Sequence, residues 1–130
     1  MVGGGGAGRA GQGVMLVWID RALAILLILG GVGHTLGVID YYRNQPDALF
    51  WSLTASLLIF LLGAINLLRS WRPGDRALAI VAACASAGYL VVTLRFGQLI
   101  GNMADLRVIL FGLISLGLVV FGLRGAARRS

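Results

Sequence analysis

The sequence predicts an all-α polytopic membrane protein, a bundle of four transmembrane helices. Hydrophobic residues make up 58% of the chain and charged residues 12%, and the mean hydropathy of +0.90 lies beyond that of ordinary soluble domains. Four apolar runs, each near the roughly 20 residues that cross a hydrocarbon core, occupy 22–39, 48–68, 77–94 and 108–123. We therefore expect a transmembrane domain over residues 14–130, with spans at about 16–39, 48–68, 76–96 and 106–124.

The segment before the first span is rich in glycine and holds a single charge, Arg9. Because it cannot bury enough apolar surface to fold alone, residues 1–13 are predicted to form a disordered tail. The first apolar run is longer than a usual signal-peptide core and lacks a small-residue cleavage pattern, so it is expected to be a retained helix.

Short polar connections separate the four runs. They contain Pro46, Pro73 and Gly74, and Gly101, which end helices, and Asp47 and Asp75 suit helix starts. Connections this short make neighbouring spans antiparallel, so both termini are expected on the same side of the membrane.

Arginine placement predicts which side that is. Eight arginines fall on the side of the termini and three, Arg43, Arg95 and Arg107, on the other. The positive-inside rule then places both termini in the cytoplasm. Tryptophan and tyrosine, which are enriched at bilayer boundaries, mark the two levels: Trp18 and Trp71 the inner one, and Tyr41, Tyr42 and Trp51 the outer one. The charged residues are arginine and aspartate without lysine or glutamate, which favours a GC-rich bacterial genome and hence the bacterial cytoplasmic (inner) membrane.

An internal repeat is visible in this pattern. The hexapeptide that begins at Asp20 recurs letter for letter from Asp75, and the same offset aligns Gly33-His34 with Gly88-Tyr89 and Leu68-Arg69 with Leu123-Arg124. Each unit holds two spans, so the repeat predicts two tandem helical hairpins of parallel sense. The alternative is chance recurrence in a composition rich in alanine and leucine.

Small and polar residues at helical spacing predict the faces along which the helices pack, since close approach and side-chain hydrogen bonds hold membrane helices together. They are Gly30, Gly33 and Gly37 in the first span, Ser56, Gly63 and Asn66 in the second, Ser86 and Gly88 in the third, and Gly112 and Ser115 in the fourth.

His34 is the main candidate for a functional side chain. It lies roughly 10 Å from the centre of its span towards the outer surface, at 1.5 Å per residue. An imidazole at this depth can relay protons or position a ligand, or it can simply bond a neighbouring hydroxyl and join two helices. Polar side chains expected at a similar depth give a candidate ligand pocket of His34, Thr35, Ser52, Tyr89 and Thr93.

Other chemistry has little support in the sequence. The single cysteine, Cys84, has no partner for a disulfide, and we identify no catalytic residue, no metal-ligand set and no cofactor site. The predicted spans hold no buried carboxylate, which argues against small proton-coupled exchangers. The arginines punctuate apolar runs instead of forming one basic face, so nucleic acid is not an expected partner.

The stretch Gly33-His34-Thr35-Leu36-Gly37 resembles the G-H-T-x-G stretch of several families of small bacterial four-helix membrane proteins, and the layout is loosely similar to DoxX-like proteins. The resemblance implies a four-helix fold but no agreed activity or cofactor.

These observations favour a non-catalytic membrane component that binds a lipid-like ligand or a partner protein, either another membrane protein or a second copy of the chain in a homo-oligomer, through the outer pocket around His34. One alternative is a small oligomeric transporter or channel in which His34 is the protonatable group. Another is a membrane enzyme or redox protein that acts on a quinone, sterol-like or haem ligand.

Overall fold

The structure is a computed structural model that describes residues 5–128. It contains four helices: α1 (Gly5–Tyr41), α2 (Pro46–Trp71), α3 (Arg76–Leu99) and α4 (Leu106–Ala127). The predicted all-α class and the four-helix bundle are confirmed, and no β-strand occurs among the described residues.

The first helix is longer than its predicted span. It comprises 37 residues and begins at Gly5, so residues 5–13 of the predicted disordered tail are helical in the structure, while 1–4 lie outside the described residues. Extending an existing helix adds one backbone hydrogen bond per residue without the cost of nucleation. Residues 6–13 are exposed, so this extension is a helical continuation without a packing partner.

Local signals set the other helix ends. Pro46 occupies the first turn of α2, where its missing N–H is not needed. Asp75 accepts a 2.9 Å bond from the Leu78 amide at the start of α3, and Asp105 accepts a 2.9 Å bond from the Arg107 amide at the start of α4. Hydrogen bonds from the Arg107 side chain and backbone hold the pKa of the Asp105 carboxyl below its usual value. Gly101, with φ of 67°, supplies the left-handed turn between α3 and α4.

The helices form two antiparallel hairpins, α1–α2 and α3–α4, within which packing is most extensive. Contacts of α1 with α4 and of α2 with α3 join the hairpins, α2 and α4 touch across the diagonal, and α1 and α3 do not meet. Between the hairpins lies a core of seven buried residues: Ala24, Leu27, Ile59, Leu62, Phe111, Ile114 and Leu118.

The outside of the bundle is as apolar as its core. In the most apolar window of each helix only 22% to 33% of the residues are buried, and exposed side chains include Leu29, Leu61, Val91 and Leu113. A bundle with this surface is stable only where hydrocarbon is the solvent. All four helices are long and apolar enough to cross a bilayer, and the protein is a multi-pass membrane protein.

Exposed aromatic rings mark the two ends of the bundle. Trp18 of α1 and Trp71, the last residue of α2, are exposed at one end of the bundle. Tyr41, the last residue of α1, and Trp51 of α2 are exposed at the opposite end. We refer to these as the Trp18 end and the Tyr41 end. Both the beginning of α1 and the end of α4 lie on the Trp18 side.

Candidate functional site

His34 joins α1 to α2 near the Tyr41 end. Its Nδ1 lies 2.9 Å from the Ser56 Oγ, and Ser56 in turn donates a 3.3 Å bond to the carbonyl of Ser52. The bond between Nδ1 and Oγ joins α1 to α2 in either tautomer of the imidazole. Among residues 5–128 the other ring nitrogen, Nε2, has no hydrogen-bond partner, so the half-buried imidazole keeps one ring nitrogen free.

The two threonines of the predicted ligand pocket bond within their own helices, and Tyr89 packs against a neighbouring helix. Thr35 donates a 2.7 Å bond to the carbonyl of Gly31, and Thr93 donates a 2.9 Å bond to that of Tyr89. The ring of Tyr89 packs edge-on against Phe111, with centroids 6.3 Å apart. No hydrogen bond within the described chain links the α1 members of the set to the α3 members, because these two helices do not meet. The structure thus brings His34 to Ser56 and leaves ligand binding by the five residues a prediction.

Several of the predicted packing residues lie at helix contacts. A Cβ on Gly30 would be 2.8 Å from Cε1 of Phe111, and one on Gly63 would be 2.5 Å from Cγ1 of Ile28. Ser56, Asn66, Ser86 and Ser115 are buried. The hydroxyl of Ser115 donates to the carbonyl of Phe111 in its own helix.

Four predicted packing glycines do not contact another helix of the bundle. A Cβ on Gly33, Gly37, Gly88 or Gly112 would meet nothing within 4 Å. Small-residue spacing indicates a stripe, but it does not tell which side of a helix that stripe faces. Besides Gly30 and Gly63, five glycines that were not predicted lie against a neighbouring helix or connection: Gly31, Gly97, Gly117, Gly122 and Gly125.

The polar centre of the bundle lies elsewhere, at the Trp18 end. Two oxygens of Asp20 in α1 accept bonds of 2.6 Å and 3.0 Å from the two terminal nitrogens of Arg69 in α2. The two side chains are only 8% and 6% exposed. This is a bidentate buried ion pair, the strongest geometry that an arginine and a carboxylate offer.

Asn66 extends the ion pair to the second hairpin. Its Oδ1 accepts bonds of 3.2 Å and 3.4 Å from Arg69, and its Nδ2 donates a 3.0 Å bond to Ser86 Oγ in α3. Asn66 and Ser86 are both fully buried. The predicted packing roles of Asn66 and Ser86 thus correspond to a network over three helices, which we call the Asp20–Ser86 network.

The buried carboxylate corrects an inference from the sequence. The spans were expected to hold none, because Asp20 precedes the first apolar run, which begins at residue 22. In the structure α1 continues well before Asp20, so this residue lies within the helix and turns towards Arg69. Asp20 and Arg69 are too far apart in the chain for a short-range sequence pattern to pair them. The available signal was an aspartate next to one long apolar run and an arginine directly after another such run.

A small cleft opens beside this network. All four helices contribute to its lining, and its cavity volume is about 50 Å³. We call it the arginine cleft; its charged lining residues are Asp20, Arg69, Arg72, Arg124 and Arg128. Apolar wall residues include Leu16, Val17 and Phe121.

The position of the cleft relative to the bilayer follows from helix length. Asp20 lies roughly 30 Å from Tyr41 along α1, at 1.5 Å per residue, which is about the thickness of a hydrocarbon core. The exposed rings of Trp18 and Trp71 are near the same level, and such rings favour the headgroup region. We therefore expect the arginine cleft to open at the boundary between hydrocarbon and headgroups.

Within residues 5–128 no group of three histidine, cysteine, aspartate or glutamate side chains is arranged to hold a metal ion. Comparison with protein-family models, with curated proteins and with solved structures found no match. The resemblance of the Gly33–Gly37 stretch to small four-helix membrane proteins consequently stays a prediction.

Proposed function

We propose that this protein is a non-catalytic membrane component that binds a lipid-like amphipathic ligand at the arginine cleft. The observation that carries the proposal is a cleft at the headgroup level, lined by all four helices and backed by the buried Asp20–Arg69 pair. Charged groups inside a membrane bundle are costly and usually belong to functional sites. The pair fixes two walls of the cleft, since neither partner can move without leaving a buried charge unpaired.

The mixed charged and apolar lining of the arginine cleft fits an amphipathic molecule. Arginine side chains form part of the lining, and Leu16, Val17 and Phe121 add apolar surface. A headgroup can occupy the polar part while its chain follows the apolar surface of the bundle. A partner protein that inserts a side chain is the other class of occupant, and the experiment below separates the two.

The test is native mass spectrometry of the protein in mild detergent, with identification of the molecules that co-purify. We expect a lipid-like molecule on the wild type. Ser70→Trp places a large ring at the cleft and should remove it, whereas Ser52→Trp, an equally half-buried serine near the Tyr41 end, should not. A wild-type protein free of bound lipid, or a bound lipid that both variants retain, would contradict the proposal.

We further propose that the chain lies in the bacterial cytoplasmic membrane with both termini in the cytoplasm. The excess of arginine on the Trp18 side supports this orientation. In a Cys84→Ala background, a cysteine introduced by Gly74→Cys in the α2–α3 connection should resist a membrane-impermeant thiol reagent in intact cells. Rapid labelling there would reverse the orientation.

A duplication is the proposed origin of the two hairpins. In support, positions aligned by the repeat are buried in both copies: Ala24 and Ala79, Leu27 and Ala82, Gly31 and Ser86, Val38 and Thr93, Ser56 and Phe111, Ile59 and Ile114, and Gly63 and Leu118. If the hairpins share an ancestor, the first hairpin of one relative should align with the second hairpin of another better than with shuffled sequences of the same composition. Equal scores would favour chance.

His34 supports a second candidate, a small oligomeric transporter. The favouring observation is the free Nε2 of a half-buried imidazole within a membrane span. Substrate flux in proteoliposomes should then vanish in His34→Ala and persist in Ser56→Ala, which removes the hydrogen-bond partner but keeps the imidazole. Equal flux in both variants would exclude His34 as the proton carrier.

A further inference from the structure

We propose that the arginine cleft is a phosphate site, in which Arg72, Arg124 and Arg128 together bind a phosphate-bearing anionic group. This inference rests on the proposed function and specifies the chemistry of its ligand.

Arginines at the Tyr41 end have partners within the protein. Arg43 pairs with Asp40 at 3.2 Å and Arg107 with Asp105 at 2.9 Å. Arg95 donates a 2.8 Å bond to Gln98. This end therefore presents little uncompensated charge.

Arginines of the cleft are partnered differently. Asp20 neutralises Arg69, but within residues 5–128 no carboxylate pairs with the guanidinium of Arg72, Arg124 or Arg128. Three positive side chains thus line one small cleft whose only carboxylate is already engaged. An anion from outside the chain would complete the charge balance.

The chemistry of guanidinium favours phosphate among anions. Each planar group can present two parallel N–H donors to phosphate oxygens, and the three arginines come from different parts of the chain, namely the α2–α3 connection, α4 and the residue that follows α4. The cavity of about 50 Å³ suits one compact charged group rather than a whole amphiphile. Basic pockets between membrane helices at headgroup level bind phosphorylated lipid headgroups in the same way.

The competing explanation is that these arginines only set topology, as positive residues near helix ends do. In that case any arginine at the Trp18 end would attract anionic lipid equally. The chain offers a matched control for this case, because Arg9, Arg21 and Arg76 lie on the same side, carry the same charge and do not line the cleft.

The experiment compares three full-length proteins in mixed micelles of phosphatidylcholine with or without phosphatidylglycerol, by native mass spectrometry. The proteins are the wild type, the cleft variant Arg72→Gln/Arg124→Gln/Arg128→Gln, and the control variant Arg9→Gln/Arg21→Gln/Arg76→Gln. We expect the wild type to retain phosphatidylglycerol over phosphatidylcholine. The cleft variant should bind it on the order of 100-fold more weakly, and the control variant within about tenfold of the wild type. Circular dichroism and size-exclusion profiles should match for the wild type and the cleft variant, because the substituted cleft arginines are exposed. The same profiles check the fold of the control variant, in which Arg21 is half-buried.

A second arm adds inorganic phosphate to the wild type. Failure of phosphate to displace phosphatidylglycerol identifies the site as one for a lipid headgroup, and displacement identifies it as a site for free phosphate too. Equal loss of phosphatidylglycerol in the two triple variants would overturn the phosphate site in favour of diffuse attraction. Equal retention of both lipids by the wild type would overturn it as well, yet would leave lipid binding intact. A wild type that binds neither lipid would overturn the proposed function itself.

Discussion

The two hairpins place different chemistry at positions related by the sequence offset that takes Asp20 to Asp75. In the first, Asp20 and Arg69 form a buried pair between α1 and α2. In the second, the aligned Asp75 caps α3 by accepting from the Leu78 amide, and the aligned Arg124 is exposed. Two antiparallel helices can therefore hold either a buried charge network or an open basic surface. The first occurs where the aspartate lies within a helix, as Asp20 does, and the second where it lies at the helix start, as Asp75 does.

A second contact is also polar in the first hairpin and apolar in the second. His34 meets Ser56 in the first hairpin through a hydrogen bond, whereas Tyr89 meets Phe111 in the second through edge-on aromatic packing. Polar contacts thus concentrate in the first hairpin. The second hairpin instead contributes close backbone packing, as between Gly122 and Ala83. The arginine cleft forms where the first hairpin, with its buried polar contacts, meets the end of the second hairpin that carries Arg124 and Arg128.

The largest expected effect is on stability, and it compares the buried Asp20–Arg69 pair with the exposed Arg124. Arg69→Ala leaves the Asp20 carboxylate buried without its partner and should reduce the free energy of unfolding by about 3–5 kcal/mol. Arg124→Ala should change it by no more than about 0.5 kcal/mol, because that side chain is exposed. Both are measured by unfolding with sodium dodecyl sulfate in mixed micelles, followed by circular dichroism.

The double variant Asp20→Asn/Arg69→Gln controls for the loss of side-chain volume. It removes both charges and should be less destabilised than Arg69→Ala alone, since no unpaired charge stays buried. Similar losses for Arg69→Ala and Arg124→Ala would show that the two hairpins do not differ in this way.

The next effect concerns close helix packing. A Cβ on Gly122 would lie 2.8 Å from the Ala83 Cβ and 3.0 Å from its Cα, so Gly122→Ala must displace the α3 backbone and should cost about 1–3 kcal/mol. Gly112→Ala in the same helix meets nothing within 4 Å and should be neutral or stabilising by up to about 1 kcal/mol. The same unfolding assay measures both.

Gly63→Ala extends this test to the first hairpin. There the new Cβ would lie 2.5 Å from Cγ1 of Ile28 and 3.3 Å from the Ala24 carbonyl oxygen. Because a β-branched side chain in a helix is restricted at χ1, Ile28 cannot simply rotate away, and Gly63→Ala should also cost about 1–3 kcal/mol. A neutral Gly63→Ala would show that close packing at this glycine does not stabilise the first hairpin.

The hydrogen bond that joins the hairpins should have a smaller effect. A double-mutant cycle of Asn66→Ala and Ser86→Ala is expected to give a coupling energy of about 1 kcal/mol, within the range found for bonds between membrane helices. A cycle of Asn66→Ala with Ser115→Ala serves as the control. Ser115 is also fully buried but donates within its own helix, so its coupling to Asn66 should be near zero. Equal coupling in the two cycles would contradict a direct Asn66–Ser86 bond.

Much of the fold could be predicted from the sequence because its signals are local. Apolar runs and turn residues such as Pro46 and Gly101 predicted the number of helices and the order of the hairpins. The early start of α1 was not predictable from the same signals, because glycine-rich composition describes intrinsic preference, while an adjoining span can extend a helix through residues such as Gly8.

The site could be predicted only in part. Depth along a helix follows from counting residues, which identified His34 as a polar residue inside the bilayer, and its bond to Ser56 agrees with the interpretation of a helix-joining histidine. Rotation of each helix about its axis does not follow from counting. For that reason helical spacing alone does not show which glycines, such as Gly31 rather than Gly33, lie against a neighbouring helix of the bundle. The bond between Asp20 and Arg69 likewise emerged only from the three-dimensional arrangement.

The smallest expected effect concerns His34 and Ser56, the polar counterpart of the Tyr89 and Phe111 contact. A double-mutant cycle of His34→Ala and Ser56→Ala should give a coupling energy of about 0.6 kcal/mol, the average for hydrogen bonds between membrane helices. A cycle of Tyr89→Leu with Phe111→Leu should give about 0.5–1.5 kcal/mol, because edge-on aromatic pairs contribute beyond the area they bury. Near-zero coupling for His34 and Ser56, alongside measurable coupling for the aromatic pair, would mean that the imidazole is not held for stability. His34 would then be left for proton transfer or ligand contact, and the flux comparison of His34→Ala with Ser56→Ala would become the decisive measurement.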